Sequence, residues 1–194
     1  SFLWGDYAAS PGTTYRFRIL PRFGTPGKLT TDPKDEIKFE ITTEKEWEAG
    51  ETHGVWFNRG AIASQKFSEE FGNRPPKNIN NPKDPAVKWL SRGLLEACLG
   101  FINKTKSGDA LRVAAYEFTY PPILNEKKKR IDKGVDVQIV YHDTTDPDTG
   151  EDGENEKAMR TAGLPINDQK TTYKRSKTKI PHNKFIVRLK GGKD

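Results

Sequence analysis

The chain has 194 residues, 33% of them hydrophobic and 31% charged, with a formal net charge of +6. That length suffices for one ordinary domain or two small ones, with a modest core and long polar loops. No apolar run approaches the roughly 20 residues that cross a bilayer. No secretory pattern opens the chain, so no transmembrane segment and a cytoplasmic location are the expectations, and Ser1 in place of Met reads as trimming. The single cysteine, Cys98, excludes an internal disulfide and a cysteine-based metal cluster; within Leu94–Leu99 it reads as a small core residue. His53, His142 and His182 share no metal-ligand spacing, and no metal site is expected.

Residues 1–80 read as a small β-rich module. Tyr15-Arg16-Phe17-Arg18-Ile19-Leu20 alternates aromatic or apolar with basic residues, as a half-buried strand does, and Ile37–Ile41 alternates again after the turn Thr31-Asp32-Pro33. Ala61–Phe71 reads as a helix stopped by Gly72 and the pair Pro75-Pro76. Arg74–Pro85, rich in proline and asparagine, reads as a linker or long surface loop.

Residues 81–194 change periodicity. Val87, Leu90, Leu94, Leu95, Cys98, Leu99 and Ile102 recur at helical spacing and predict one amphipathic helix over 85–103. Strand 111–118, helix 123–133 ending at Gly134, and strand 135–141 follow as a βαβ unit, with a parallel sheet and a right-handed crossover expected. A further helix is predicted over 156–163. The fold class is therefore α/β, an open sheet whose functional groups belong at the carboxyl ends of its strands.

Charge is unevenly spread. Lys170 to Lys193 holds nine basic residues and no acidic one, whereas Asp143 to Glu156 holds seven acidic residues and no basic one. The acidic run reads as a solvated loop. The basic run passes through Ile180-Pro181-His182-Asn183-Lys184-Phe185-Ile186-Val187, read as a buried strand. Residues two apart in a strand share a face, so His182 and Lys184 are expected side by side. An amine and an imidazole, a group that ordinarily titrates near neutrality, suit a phosphate: one holds the charge and the other attacks phosphorus or moves a proton. The plainer reading of the same spacing is a solvated strand end. Arg175, Lys177 and Lys179 lead into this strand and are candidates for tracking a phosphate backbone, and Glu117 at the end of an earlier strand is a candidate to bind substrate or orient a catalytic group. Tyr116 and Phe118 read as core.

Three blocks in this order, Leu111–Thr119, Lys133–Tyr141 and His182-Asn183-Lys184-Phe185-Ile186-Val187, resemble the phospholipase D superfamily over about residues 85–190. The resemblance implies a two-layer α/β fold and phosphodiester cleavage with neither metal nor other cofactor. It also implies that one histidine forms a phosphohistidine while a second, from another copy of the motif, protonates the leaving oxygen. On that basis His182 is one of the two histidines and Lys184 the phosphate-binding lysine. The family's aspartate, which would orient the imidazole, is replaced by Leu189. No second His-x-Lys is present, so the expectation is a half-site that is inactive or weak alone, completed by a C-terminal half or by a symmetric homodimer. The expected substrate is a phosphodiester, nucleic acid rather than phospholipid. The alternative is a non-catalytic anion- or nucleic-acid-binding module on the same fold.

Overall fold

The computed structural model describes residues 9–59, 62, 64–176 and 182–192. The chain forms two compact units, Ser1–Arg74 and Pro75–Asp194.

In the first unit, strand β1 (Thr14–Ile19) is followed by the short hairpin strands β2 (Phe23–Thr25) and β3 (Lys28–Thr30), then β4 (Ile37–Thr42). β1 pairs antiparallel with β4, placing Phe17 opposite Phe39 with their rings stacked at 5.1 Å. The alternation in both segments is the visible cause, because cross-strand aromatic pairs stabilise one face of such a ribbon. The hairpin was not legible in the sequence, although Gly24 and Gly27, both at positive φ, are its turn chemistry. Helix α1 (Gln65–Phe71) is shorter than predicted: the Ser64 hydroxyl accepts from the Phe67 amide and fixes its start, and Gly72 in the left-handed region ends it.

The second unit is mixed α/β. The single helix predicted over 85–103 is two: α2 (Pro85–Ser91), capped by Asp84 accepting from the Ala86 and Val87 amides, and α3 (Leu94–Asn103). Arg92 and Gly93 between them both adopt positive φ, which no right-handed helix passes through. Then come β5 (Ala110–Ala115), α4 (Pro121–Asp132), β6 (Asp136–His142), α5 (Glu154–Thr161), β7 (Thr172–Arg175) and β8 (Phe185–Leu189). The sheet order is β7-β6-β5-β8, with β5, β6 and β7 parallel and β8 antiparallel to β5. The βαβ expectation is met at β5-α4-β6. β7, which lies in the basic run, carries only Tyr173 as a large apolar residue and was hidden by its charge.

Leu111, Val113, Val137, Ile139 and Tyr141 pack with Leu124 of α4, Met159 of α5 and Ile102 of α3 in one buried cluster. In β6 burial alternates strictly, so Val137, Ile139 and Tyr141 face the helices while Val140 and His142 leave on the opposite face.

Asp109, one residue before β5, holds β8 in place. Its carboxylate accepts from Arg188 Nη2 (2.9 Å) and Nε (3.2 Å), from the Gly191 amide (3.1 Å) and from the Lys106 amide (3.2 Å). The Gly191 amide and the Arg188 guanidinium hold its pKa down at about 2. A depressed carboxylate contributes stability above its unfolded value of 3.8, and that contribution is lost as pH falls through about 2. Asp109→Asn is therefore expected to lower the urea midpoint at pH 7 and to flatten the acid limb of the stability curve between 3.8 and about 2.

Lys127 of α4 is fully buried, and among the described residues its Nζ has no hydrogen-bond partner; it lies 5.8 Å from the centroid of the Phe118 ring. Burial pushes its ammonium down to about 8. Below that pH the group is charged in both states and its desolvation cost is fully present; the cost is relieved as pH rises from about 8 towards 10.5. Lys127→Met is expected to stabilise the unit at pH 7 by about 1–3 kcal/mol. Chemical denaturation at pH 7 and pH 10 checks this, the gain shrinking at the higher pH.

Candidate active site at the carboxyl end of the sheet

Parallel strands bring their carboxyl ends to one edge, and β8, running the other way, starts at that same edge: Phe185 is paired with Ala114, the penultimate residue of β5. Topology thus gathers Tyr116 just past β5, His142 closing β6, Arg175 closing β7, and His182 and Lys184 just before β8. His142 and Arg175 are register partners on adjacent parallel strands, so their side chains leave on the same face.

The expected arrangement of His182 and Lys184 needs correcting. They do not lie in a buried strand. Regular pairing begins at Phe185, and both residues are exposed in the segment leading into it. What relates them is not strand alternation but Tyr116. Its ring lies 5.3 Å from the His182 ring and 5.7 Å from the His142 ring, and Lys184 Nζ sits 5.5 Å from its centroid. Lys184 Nζ also donates to the His182 carbonyl at 3.1 Å, closing a small loop that holds amine and imidazole together. A cation over a tyrosine face is attracted by the ring quadrupole.

Below the rings, the backbone is fixed by Asn155, near the start of α5 and buried. Its Nδ2 donates to the carbonyls of Tyr116 and His142, both at 2.6 Å, and its Oδ1 accepts from the Phe118 amide at 2.7 Å. One amide side chain thus satisfies three backbone groups where β5 and β6 part. Next to it, Asp143 accepts from the Glu156 amide (2.7 Å) and the Thr144 amide (2.8 Å), acting as the missing cap of α5, whose N-cap residue Gly153 has no side chain to offer. A Cβ on Gly153 would fall 1.7 Å from Asp143 Oδ1, so only glycine fits. Glu156 accepts from Tyr141 Oη (2.6 Å) and pairs with Lys174 Nζ (3.0 Å), which also donates to Thr145 Oγ1 (2.9 Å). Burial and the Glu156 carboxylate raise the Tyr141 phenol above its ordinary value.

The acidic run is therefore not simply solvated. Asp143, Asn155 and Glu156 within it are buried and structural. Of the other candidates, Glu117 is exposed, with no hydrogen-bond or ion-pair partner among the described residues, and Arg175 is half-buried. Lys177 and Lys179 lie outside the described residues. Phe118 is core as expected. Tyr116 is half-buried and faces the histidines instead of the core. Sequence reasoning also passed over His142. Its Nδ1 is buried and has no hydrogen-bond partner among the described residues. The clue was its place as the last residue of a strand in an open α/β sheet. Among the described residues no group of three or more His, Cys, Asp or Glu could hold a metal, and no helix is long and apolar enough to cross a membrane.

No family model, curated protein or solved structure matches this chain.

Asn155→Ala is expected to leave the Tyr116 and His142 carbonyls and the Phe118 amide unsatisfied and to cost about 3 kcal/mol. Hydrogen exchange of the Phe118 amide, measured beside the unfolding midpoint, checks that the loss begins at this strand end.

Proposed function

We propose that residues 75–194 form a phospholipase D-like phosphodiesterase site in which His182 attacks phosphorus and Lys184 holds the phosphate oxygens, with nucleic acid favoured over phospholipid as substrate. The observation that carries the reading is the convergence of His182, Lys184 and His142 around one tyrosine ring at the carboxyl edge of a parallel sheet. That edge is where open α/β sheets bind ligands. His182 and Lys184 are exposed there and so accessible to an anion. Arg175 on the neighbouring strand adds positive charge at the same edge, and a net charge of +6 favours a polyanion.

The chemistry asked of the chain is modest. The imidazole supplies a nucleophile, and the P–O bond to the leaving group breaks as the N–P bond forms. The ammonium neutralises charge that grows on the non-bridging oxygens. The substitution of Leu189 for the family's aspartate weighs little against the reading. Leu189 ends β8 opposite Ala110, while Phe185 begins it opposite Ala114, so position 189 is about 13 Å of strand from the site. Orientation of His182 falls to Tyr116 instead.

Bis(p-nitrophenyl) phosphate, whose leaving group needs no acid, is the discriminating probe, used with EDTA present. An alkaline quench followed by peptide mass spectrometry is expected to find a p-nitrophenylphosphoryl adduct on His182. His182→Ala is expected to abolish the adduct and to lower nitrophenolate release by at least 10³-fold. Salt-sensitive binding of an oligonucleotide without adduct or release would instead favour a non-catalytic anion-binding module.

A further inference from the structure

We propose that the face of the four-stranded sheet turned away from its helices is a platform for single-stranded nucleic acid, which it leads to the site at the carboxyl edge. The inference rests on the phosphodiesterase reading above for its chemistry and deepens it by naming the form of the substrate.

Strand register decides what this face carries. Helices α3, α4 and α5 pack against Leu111, Val113, Val137, Ile139 and Tyr141 on one side of the sheet. Alternation sends the residues between them to the other side. There Tyr173 of β7 is the register partner of Val140, Val140 of Ala114, and Ala114 of Phe185, so these four form one row across all four strands. Val187 of β8 belongs to the next row, opposite Arg112. Val140, Phe185 and Val187 are 47%, 51% and 41% exposed. Strands of a mostly parallel sheet are ordinarily covered on both faces, and a contiguous exposed apolar patch marks an interaction surface.

Charge selects the occupant. Residues 75–194 hold 23 Lys and Arg against 16 Asp and Glu, whereas residues 1–74 hold 10 against 11. On the face itself the Asp136 carboxylate is taken by Arg112 Nη2 at 2.8 Å. Two residues on from the apolar row, about 7 Å along the strands, His142 and Arg175 leave on the same face, at the edge where His182 and Lys184 stand. A second copy laid on this face would bring like charges together, and an uncharged peptide would leave the basic edge unmatched. A single strand matches both features, with the π-faces of its bases for the row and its phosphates for the edge. A duplex does not, because its base faces are already stacked inside the helix.

The spacing suits more than one nucleotide. Phe185 and Tyr173 are three strand spacings apart, about 14 Å, with only Ala114 and Val140 between them. Tyr173 Oη donates to the Lys170 carbonyl at 3.2 Å, which fixes its ring. Phe185 directly follows Lys184, so a base stacked on Phe185 brings its own phosphate towards the ammonium.

Fluorescence anisotropy with EDTA present tests this, using a labelled thymidine dodecamer, an abasic strand and a duplex of the same length. The full chain is expected to bind the thymidine strand about 10-fold or more tighter than either of the others at equal salt. Phe185→Leu keeps the apolar strand residue and removes the ring. It is expected to weaken thymidine-strand binding about 5–50-fold, with duplex affinity and the urea midpoint unchanged. Photocrosslinks from a 5-iodouracil-substituted strand are expected on the peptides that carry Tyr173 and Phe185. Equal affinity for the three probes overturns the inference, as does unchanged affinity in Phe185→Leu or crosslinking elsewhere. A dimer in sedimentation that Val187→Glu dissociates, with normal strand binding in Phe185→Leu, assigns the face to a second copy and also overturns it. Each of these outcomes leaves the His182 adduct standing. Conversely, single-strand preference and the Phe185→Leu loss without that adduct uphold the platform and sink the catalytic reading.

Discussion

Asn155 is the constraint on which the arrangement at the carboxyl edge depends. Two adjacent parallel strands must part where their chains turn into different connections, and the backbone groups at the fork lose their ladder partners. Here one amide side chain, brought in by α5, supplies two donors and one acceptor to Tyr116, His142 and Phe118. Asn155 and Phe118 are buried while Tyr116 and His142 are half-buried, so an unmade bond here is only partly replaced by water and costs much of its desolvation penalty. The rings that form the candidate site stand directly on two of those three backbone positions. Fold stability and ring placement are thus one interaction.

Placement of α5 follows from the same corner. Gly153 leaves room for Asp143 to reach the Glu156 amide in the first turn of the helix, and the helix in turn delivers Asn155 and Glu156. Glu156 then ties Tyr141 of β6 to Lys174 of β7. At the other end of the sheet Asp109 binds Arg188 and Gly191, fixing the register of β8. Since β8 runs antiparallel to β5, fixing its far end also fixes where the segment bearing His182 and Lys184 enters. Charged groups here serve as registration devices, each satisfied by several donors, in contrast to Lys127, which is buried over Phe118 at a cost.

Tyr116 takes part in both layers. Its carbonyl belongs to the fork and its ring to the site, so it transmits the rigidity of the sheet to a segment that has no regular pairing of its own. An aromatic ring with two χ angles does this at small entropic cost. It lies against two imidazoles and under one ammonium at the sheet edge, so three groups far apart in the chain share one ring.

Much of this was legible along the chain. Period-2 alternation marked β1 and β4, helical spacing marked the region of α2 and α3 as one helix, and strand-helix-strand order implied the α/β class, because these are patterns of neighbouring residues. The residue types of the site were legible too, since His182 and Lys184 stand out beside an apolar run, but they were expected within a buried strand and lie exposed before it. Their relation was not. Tyr116 lies 26 positions before His142 and 66 before His182, and only sheet order places them together. The buried role of Asp143, Asn155 and Glu156 was likewise masked by the charge of their neighbours, as was β7. Local spacing determines which face a side chain takes; which faces then meet is decided by long-range strand pairing, and no window of sequence contains that.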